Sequence, residues 1–219
     1  KLFFYTIISS VVGARLGHCF FYEWDYYSAH PMQIFAIWNG GLASHGGVFA
    51  LIIALMYYSK KVTHKSVWWL FDRMIPAIAV ACACIRLGNL MNSEIFGFPT
   101  TMPWGFKFVR SAEWVREFNG LPCHPTQIYE MLYCIVALIV SQVMYWKFKL
   151  QNKVGLITGV CLIIFFGARF GLEFMKNPQV AAEVNMQLNI GQILSIPLVL
   201  LGAYLATSAI VKPDIKRLF

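Results

Sequence analysis

Charge is what this 219-residue chain has least of. Only 13% of its residues are Asp, Glu, Lys or Arg, about half the roughly 25% usual in a soluble domain. Acids are the scarcer sign, 10 against 18 basic residues. A soluble domain of this length has too much surface for so few charges. Disorder, a collagenous fibre, a coiled coil and a disulfide mini-protein are excluded by the same composition. The six cysteines form no C-x-x-C pair and no regular spacing. Cys19, Cys82, Cys84, Cys134 and Cys161 lie in apolar runs, where a thiol behaves as a small hydrophobe. Only Cys123 lies in a polar stretch. We therefore expect no disulfide, no zinc site and no other metal. No signal-peptide cleavage pattern is present. What is abundant is apolar: 58% hydrophobic and 16% aromatic residues, with mean hydropathy +0.61. The class that remains is an integral membrane protein. The chain opens on Lys1 rather than Met, so we expect sequence to be missing before it.

The expected fold is all-α and polytopic. A spanning helix needs about 20 predominantly apolar residues, and six stretches qualify: 2–22, 43–59, 66–86, 126–146, 154–174 and 191–211. Basic residues cluster in alternate joins: Lys60, Lys61 and Lys65; Lys147, Lys149 and Lys153; then Lys212, Lys216 and Arg217. The positive-inside rule puts these joins in the cytoplasm. The loops 23–42, 87–125 and 175–190 then face outward. Eight of the ten acids, Glu23, Asp25, Glu94, Glu113, Glu117, Glu130, Glu173 and Glu183, fall on or near that side. The expected organisation is one membrane domain over 1–219, with 87–125 as a small extracytoplasmic head. Cys123 should then face outward and be open to an impermeant thiol reagent unless packed. The net charge of +8 points to anionic lipid headgroups rather than nucleic acid, because the basic residues sit at the ends of apolar runs.

Three fragments echo one another: Gly13-Ala14-Arg15-Leu16-Gly17, Cys84-Ile85-Arg86-Leu87-Gly88 and Gly167-Ala168-Arg169-Phe170-Gly171. Each places an Arg near the outward end of a spanning helix. An Arg at membrane depth is costly and normally paired, and a guanidinium fits a phosphate bidentately. Three at one level suggest an anion cage. One alone would suggest snorkelling, or a pair with Glu94 or Glu173.

Other polar groups converge on the same level. Gly40, Gly41, Gly46 and Gly47 surround His45, which suggests tightly packed backbone beside a cavity and a side chain suited to general-base work. Asn89, Asn92, Glu94 and Gly97 follow Arg86 as a helix exit. His124-Pro125-Thr126-Gln127-Ile128-Tyr129-Glu130 opens the next span, with Gln127 and Glu130 on one face. Arg169 and Glu173 are spaced for an intrahelical pair.

These fragments resemble the bacterial prolipoprotein diacylglyceryl transferases over nearly the whole chain. The shared motifs stand at Gly13 to Gly17, Asn39 to Gly47, Arg86 to Gly97, His124 to Glu130, Gly167 to Phe174 and Gly191 to Pro197. The resemblance implies transfer of the diacylglyceryl group of phosphatidylglycerol to the lipobox cysteine thiol of a preprolipoprotein. A thioether forms and glycerol phosphate leaves, with no cofactor. It implies His45, Arg86 and Arg169 as catalytic residues. For phosphatidylglycerol it implies Arg86 and Arg169, joined by Arg15, Asn89, Asn92, Glu94, Gly97, Gly46 and Gly47. His124, Gln127, Tyr129, Glu130, Glu173 and Gln192 would support them. It also implies seven spans, so the first would be absent here, and it implies the bacterial inner membrane with the site facing outward. Lys176 stands where many members carry Arg, keeping the charge but losing the fork. The rival reading is a small multi-pass transporter or a binder of anionic lipids or organic anions. It should show inverted repeats and polar residues near mid-membrane, whereas the Arg echo keeps one orientation near one interface.

Overall fold

The computed structural model describes residues 1–177 and 188–211, and the chain divides into two compact units, Lys1–Leu70 and Phe71–Phe219. Glu183, Lys212, Lys216 and Arg217 lie outside the described residues. Among the described residues eight α-helices run in order: α1 Leu2–Phe21, α2 Trp24–Ala29, α3 Ser44–Tyr58, α4 Val67–Met91, α5 Ala112–Phe118, α6 Thr126–Gln142, α7 Leu156–Leu172 and α8 Ile190–Val211. Short 3-10 and π turns extend several of them, and no strand occurs among the described residues.

Among the described residues, five segments are long and apolar enough to cross a membrane: Leu2–Phe21, Val67–Met91, Thr126–Lys147, Leu156–Met175 and Ile190–Val211. The chain is thus a polytopic helical protein. The remaining expected span, 43–59, is the 15-residue helix α3, which continues into a π turn at Ser59–Thr63. The expected end of the third span at 86 is also revised. Helix α4 runs on to Met91, so Gly88 and Asn89 are helical rather than a loop exit.

In the first unit α1 packs on α3 through small residues. A Cβ added at Gly13 would run into Gly46 O and Ala50 Cβ, and one at Gly46 would meet Gly13 O and, at 2.8 Å, Gly17 Cα. Small residues let membrane helices approach to backbone contact and gain dispersion energy there. Gly46→Ala should therefore destabilise this unit by about 1–3 kcal/mol, the usual cost of overpacking. The check is the thermal midpoint in detergent, and an unchanged midpoint would mean that the crossing relaxes freely.

In the second unit α7 packs against α6 and α8. The first N–H groups of a helix lack intrahelical partners. At α7 a distant carboxylate supplies them. Asp72 of α4, 2% exposed, accepts from Gly155 N at 2.7 Å, Thr158 N at 2.8 Å and Thr158 Oγ1 at 2.6 Å. This interhelical cap fixes where α7 starts, and hence where its far end carries Arg169.

Residues 92–125 build a small apolar cluster of their own from Phe96, Phe108, Trp114 and Cys123. Phe106 and Cys123 exchange backbone bonds of 2.9 Å in both directions. Ser111 caps α5 by accepting from Trp114 N at 3.3 Å, and Trp114 Nε1 donates to Leu121 O at 2.8 Å. Cys123 is packed, the case in which a thiol reagent is not expected to reach it: it is fully buried in the cluster with Phe96, Phe108 and Trp114, and burial pushes its thiol above the ordinary range.

Candidate active site

The polar residues of the second unit meet where the last turns of α4, the first turns of α6 and the end of α7 come together. Glu130 Oε2 lies 2.7 Å from Arg86 Nε. Lys176 Nζ donates to Glu130 Oε1 at 2.7 Å and to Glu173 Oε1 at 3.3 Å. Arg169 Nε lies 3.4 Å from the same Glu173 oxygen. The order is therefore Arg86, Glu130, Lys176, Glu173, Arg169. Side-chain exposure along it is 19%, 0%, 5%, 8% and 35%. The carboxylates and the ammonium are inside, and the two guanidiniums form the open ends. Buried ions persist only when paired and hydrogen-bonded, and here each carboxylate meets two cations.

The local fold explains the placement. Thr126 Oγ1 donates to Ile95 O at 2.8 Å and Gln127 Nε2 donates to Glu94 O at 2.6 Å. These bonds tie the start of α6 to the chain leaving α4 and turn Glu130, one turn later, towards Arg86. Lys176 is held by an antiparallel bridge to Gly97, with Phe98 N donating to Met175 O at 3.0 Å. A Cβ at Gly97 would collide with Met175 O and come within 2.9 Å of Thr126 Cγ2, so only glycine closes this bridge. Gly191 admits Glu173 in the same way, since its Cβ would lie 2.5 Å from Glu173 Oε1. Asn189 Nδ2 donates to Glu173 Oε2 at 3.2 Å, and Gln192 Nε2 donates to Phe170 O at 3.4 Å.

A second ladder leads outward from Arg86. Its Nη1 donates to Asn89 Oδ1 at 3.2 Å. Asn89 and Asn92 both donate to Glu94 Oε1, at 2.8 and 3.2 Å. These two amides hold the exposed Glu94 carboxyl below the usual carboxylate range. His124 Nδ1 lies 3.2 Å from Tyr129 OH, which also accepts from Trp104 Nε1 at 2.8 Å. That trio makes no contact with the arginines among the described residues. Tyr133, three residues beyond Glu130, interacts electrostatically with Glu130, Arg86 and Arg169. Sequence reading passed over it and over the bridging role of Lys176. The i, i+3 spacing from Glu130 was the available signal for Tyr133.

The remaining expected residues lie in the first unit. Arg15 is 3% exposed and donates only to carbonyls: Ile34 O at 2.9 Å, Gln33 O at 2.6 Å, and Gly40 O and Gly41 O at 2.5 and 3.2 Å. A guanidinium has five N–H donors, so little is left for a phosphate. Arg15 thus holds the 33–41 loop through its carbonyls. Gly40 and Gly41 turn that loop with φ of 83° and 70°, and a Cβ at Gly41 would sit 2.7 Å from Arg15 Nη1. Gly46 belongs to the α1–α3 crossing, as does Gly47, where a Cβ would meet Ser10 O at 3.1 Å. Both glycines therefore let α3 approach α1 to backbone contact. His45 is exposed on the first turn of α3.

Among the described residues, Arg86 Nη2 and both Nη groups of Arg169 meet no protein acceptor. The fold and this site together define a polytopic membrane protein with preorganised guanidinium donors at the edge of a buried charge array. The profile of the family described as prolipoprotein diacylglyceryl transferase matches residues 1–208. The chain belongs to that family. Relatives named phosphatidylglycerol–prolipoprotein diacylglyceryl transferase include one from Porphyromonas gingivalis, 46% identical over 98% of this chain and 78% of the relative. One from Chloroherpeton thalassium is 42% identical over 99% and 78%, and one from Tolumonas auensis is 40% identical over 94% and 76%.

Proposed function

We propose that this chain transfers the diacylglyceryl group of phosphatidylglycerol to the lipobox cysteine thiol of preprolipoproteins, in the bacterial inner membrane. Family membership and the relatives' names support the reaction. The observation that carries the site assignment is the pair of half-open guanidiniums, Arg86 and Arg169, tied together by Glu130, Lys176 and Glu173.

The substrate thiol gives up its proton and its sulfur attacks a glycerol carbon. The S–C bond forms as the C–O bond to phosphate breaks, and glycerol phosphate leaves. Charge grows on the phosphate as it departs. Arg86 Nη2 and the Nη groups of Arg169, on guanidiniums already paired with Glu130 and Glu173, meet that charge without reorganising, which is electrostatic preorganisation. Asn89, Asn92, Glu94 and Gly97 shape the adjoining mouth, with His124, Gln127, Tyr129 and Gln192 as supporting residues. A free thiol titrates near pH 8.5, so its ionisation needs help at neutral pH, with His45 taking the proton as one reading and arginine charge lowering the thiol's pKa as the other. No metal or organic cofactor enters. The proposed topology takes six crossings, five of them long and apolar enough to span and the sixth α3 with its π turn. The basic loops then face the cytoplasm, while the array and the 92–125 segment face outward.

The reaction is tested by mixing purified protein, phosphatidylglycerol vesicles and a peptide carrying a lipobox cysteine. Mass spectrometry should find the peptide thiol diacylglycerylated, and a cysteine-to-serine peptide unmodified. Absence of the adduct with folded protein overturns the reading. In the same assay His45→Ala should slow transfer about 10²-fold or more, the scale of general base catalysis. A loss under about threefold removes His45 from the chemistry.

A further inference from the structure

We propose that Lys176 sets the charge of the site so that it matches a donor lipid carrying one net negative charge. This inference rests on the transfer reaction proposed above. The buried array holds three cations, Arg86, Arg169 and Lys176, and two anions, Glu130 and Glu173. Among the described residues, three positive charges less two negative ones leave a surplus of one. Glu94 does not cancel it. That carboxylate is exposed, bonds to Asn89 and Asn92 rather than to a cation, and is screened by water. Asp72 does not cancel it either. It caps the opposite end of α7, and from Thr158 to Arg169 is about 16 Å at 1.5 Å per residue.

A surplus charge in a site of low dielectric favours one compensating anion strongly. A phosphodiester carries one negative charge. When its headgroup is an uncharged glycerol, lipid and array together sum to zero. When its headgroup carries an ammonium, the lipid sums to zero and the surplus remains, with the ammonium facing guanidiniums. Discrimination against zwitterionic lipid follows from that difference. Lys176 is the member that creates the surplus, because without it the two arginines and two carboxylates already balance. At 6% exposure, and bonded to both carboxylates, it is a positioning residue that acts on the lipid through the array.

The test uses Lys176→Gln, Lys176→Arg and the double variant Lys176→Gln/Glu173→Gln, each checked for folding by its thermal midpoint. Initial rates are taken against phosphatidylglycerol in mixed micelles, with and without phosphatidylethanolamine. Lys176→Gln should raise KM for phosphatidylglycerol roughly ten- to thirtyfold, with kcat within about threefold, and should become inhibited by phosphatidylethanolamine. Lys176→Arg keeps the charge and should stay near wild type. The double variant restores the surplus of one without any lysine, and should recover most of the lost KM. Wild-type KM in folded Lys176→Gln overturns the proposal, as does a double variant no better than the single one. Lack of transfer by the wild type would instead refute the reaction, and the two failures are distinct.

Discussion

Arg86→Lys and Arg169→Lys should each slow transfer about 10- to 150-fold, although neither changes the net charge. Both arginines use Nε towards a carboxylate and turn their Nη groups outward. A lysine at either position offers a point charge that can satisfy the carboxylate or the phosphate, but not both through one rigid fork. Charge-assisted hydrogen bonds are worth about 1.5–3 kcal/mol, and about 1.4 kcal/mol is tenfold in rate. The effect should fall on kcat as well as on kcat/KM, because the bonds strengthen as the phosphate departs. Initial rates against phosphatidylglycerol concentration decide it. Wild-type rates in both variants would leave these arginines as helix-pairing residues. Arg15→Lys should instead loosen the 33–41 loop and lower the thermal midpoint, since its partners are carbonyl oxygens.

Glu130→Ala should be the most damaging change to stability, at about 3–5 kcal/mol. Glu130 is fully buried and meets Arg86 and Lys176, each at 2.7 Å. Removing it takes from Lys176 the nearer of its two carboxylates and from Arg86 the carboxylate beside its Nε, and leaving buried charge under-compensated costs more than the pair was worth. The measurement is thermal or denaturant unfolding in detergent. Pairing the change with Lys176→Met should recover part of the loss, because the two residues are directly coupled. A Glu130→Ala protein as stable as wild type would show that water already enters the array.

The membrane class, most of the spanning helices and the motif residues were legible in the sequence, which set Arg15 apart only as the arginine whose place in the site rested mainly on the echo. What separates the three arginines lies beyond local sequence. Arg86 and Arg169 meet carboxylates, whereas Arg15 meets backbone carbonyls of residues 33–41, and carbonyls leave no compositional trace. Glu130 and Gln127 were legible as one helix face. That Glu130 is the partner of Arg86 was not, because the pair joins residues 44 positions apart in sequence. Lys176 was read as a weakened arginine. Its bridging of two carboxylates emerges only when α6 and the end of α7 are brought together. The Asp72 cap on α7 is hidden for the same reason, its bonds reaching residues 83 and 86 positions away. The glycines about His45 did mark close backbone approach, and at Gly46 and Gly47 the approaching backbone is that of α1.

The most direct measurement is the coupling of thioether formation to headgroup release. Phosphatidylglycerol labelled in its headgroup glycerol is incubated with the protein and the lipobox peptide, and released glycerol phosphate is counted against modified peptide. Displacement at the glycerol carbon predicts equal amounts of the two products, and no release when the peptide cysteine is serine. Modified peptide without glycerol phosphate, or glycerol phosphate released with no thiol present, would contradict it.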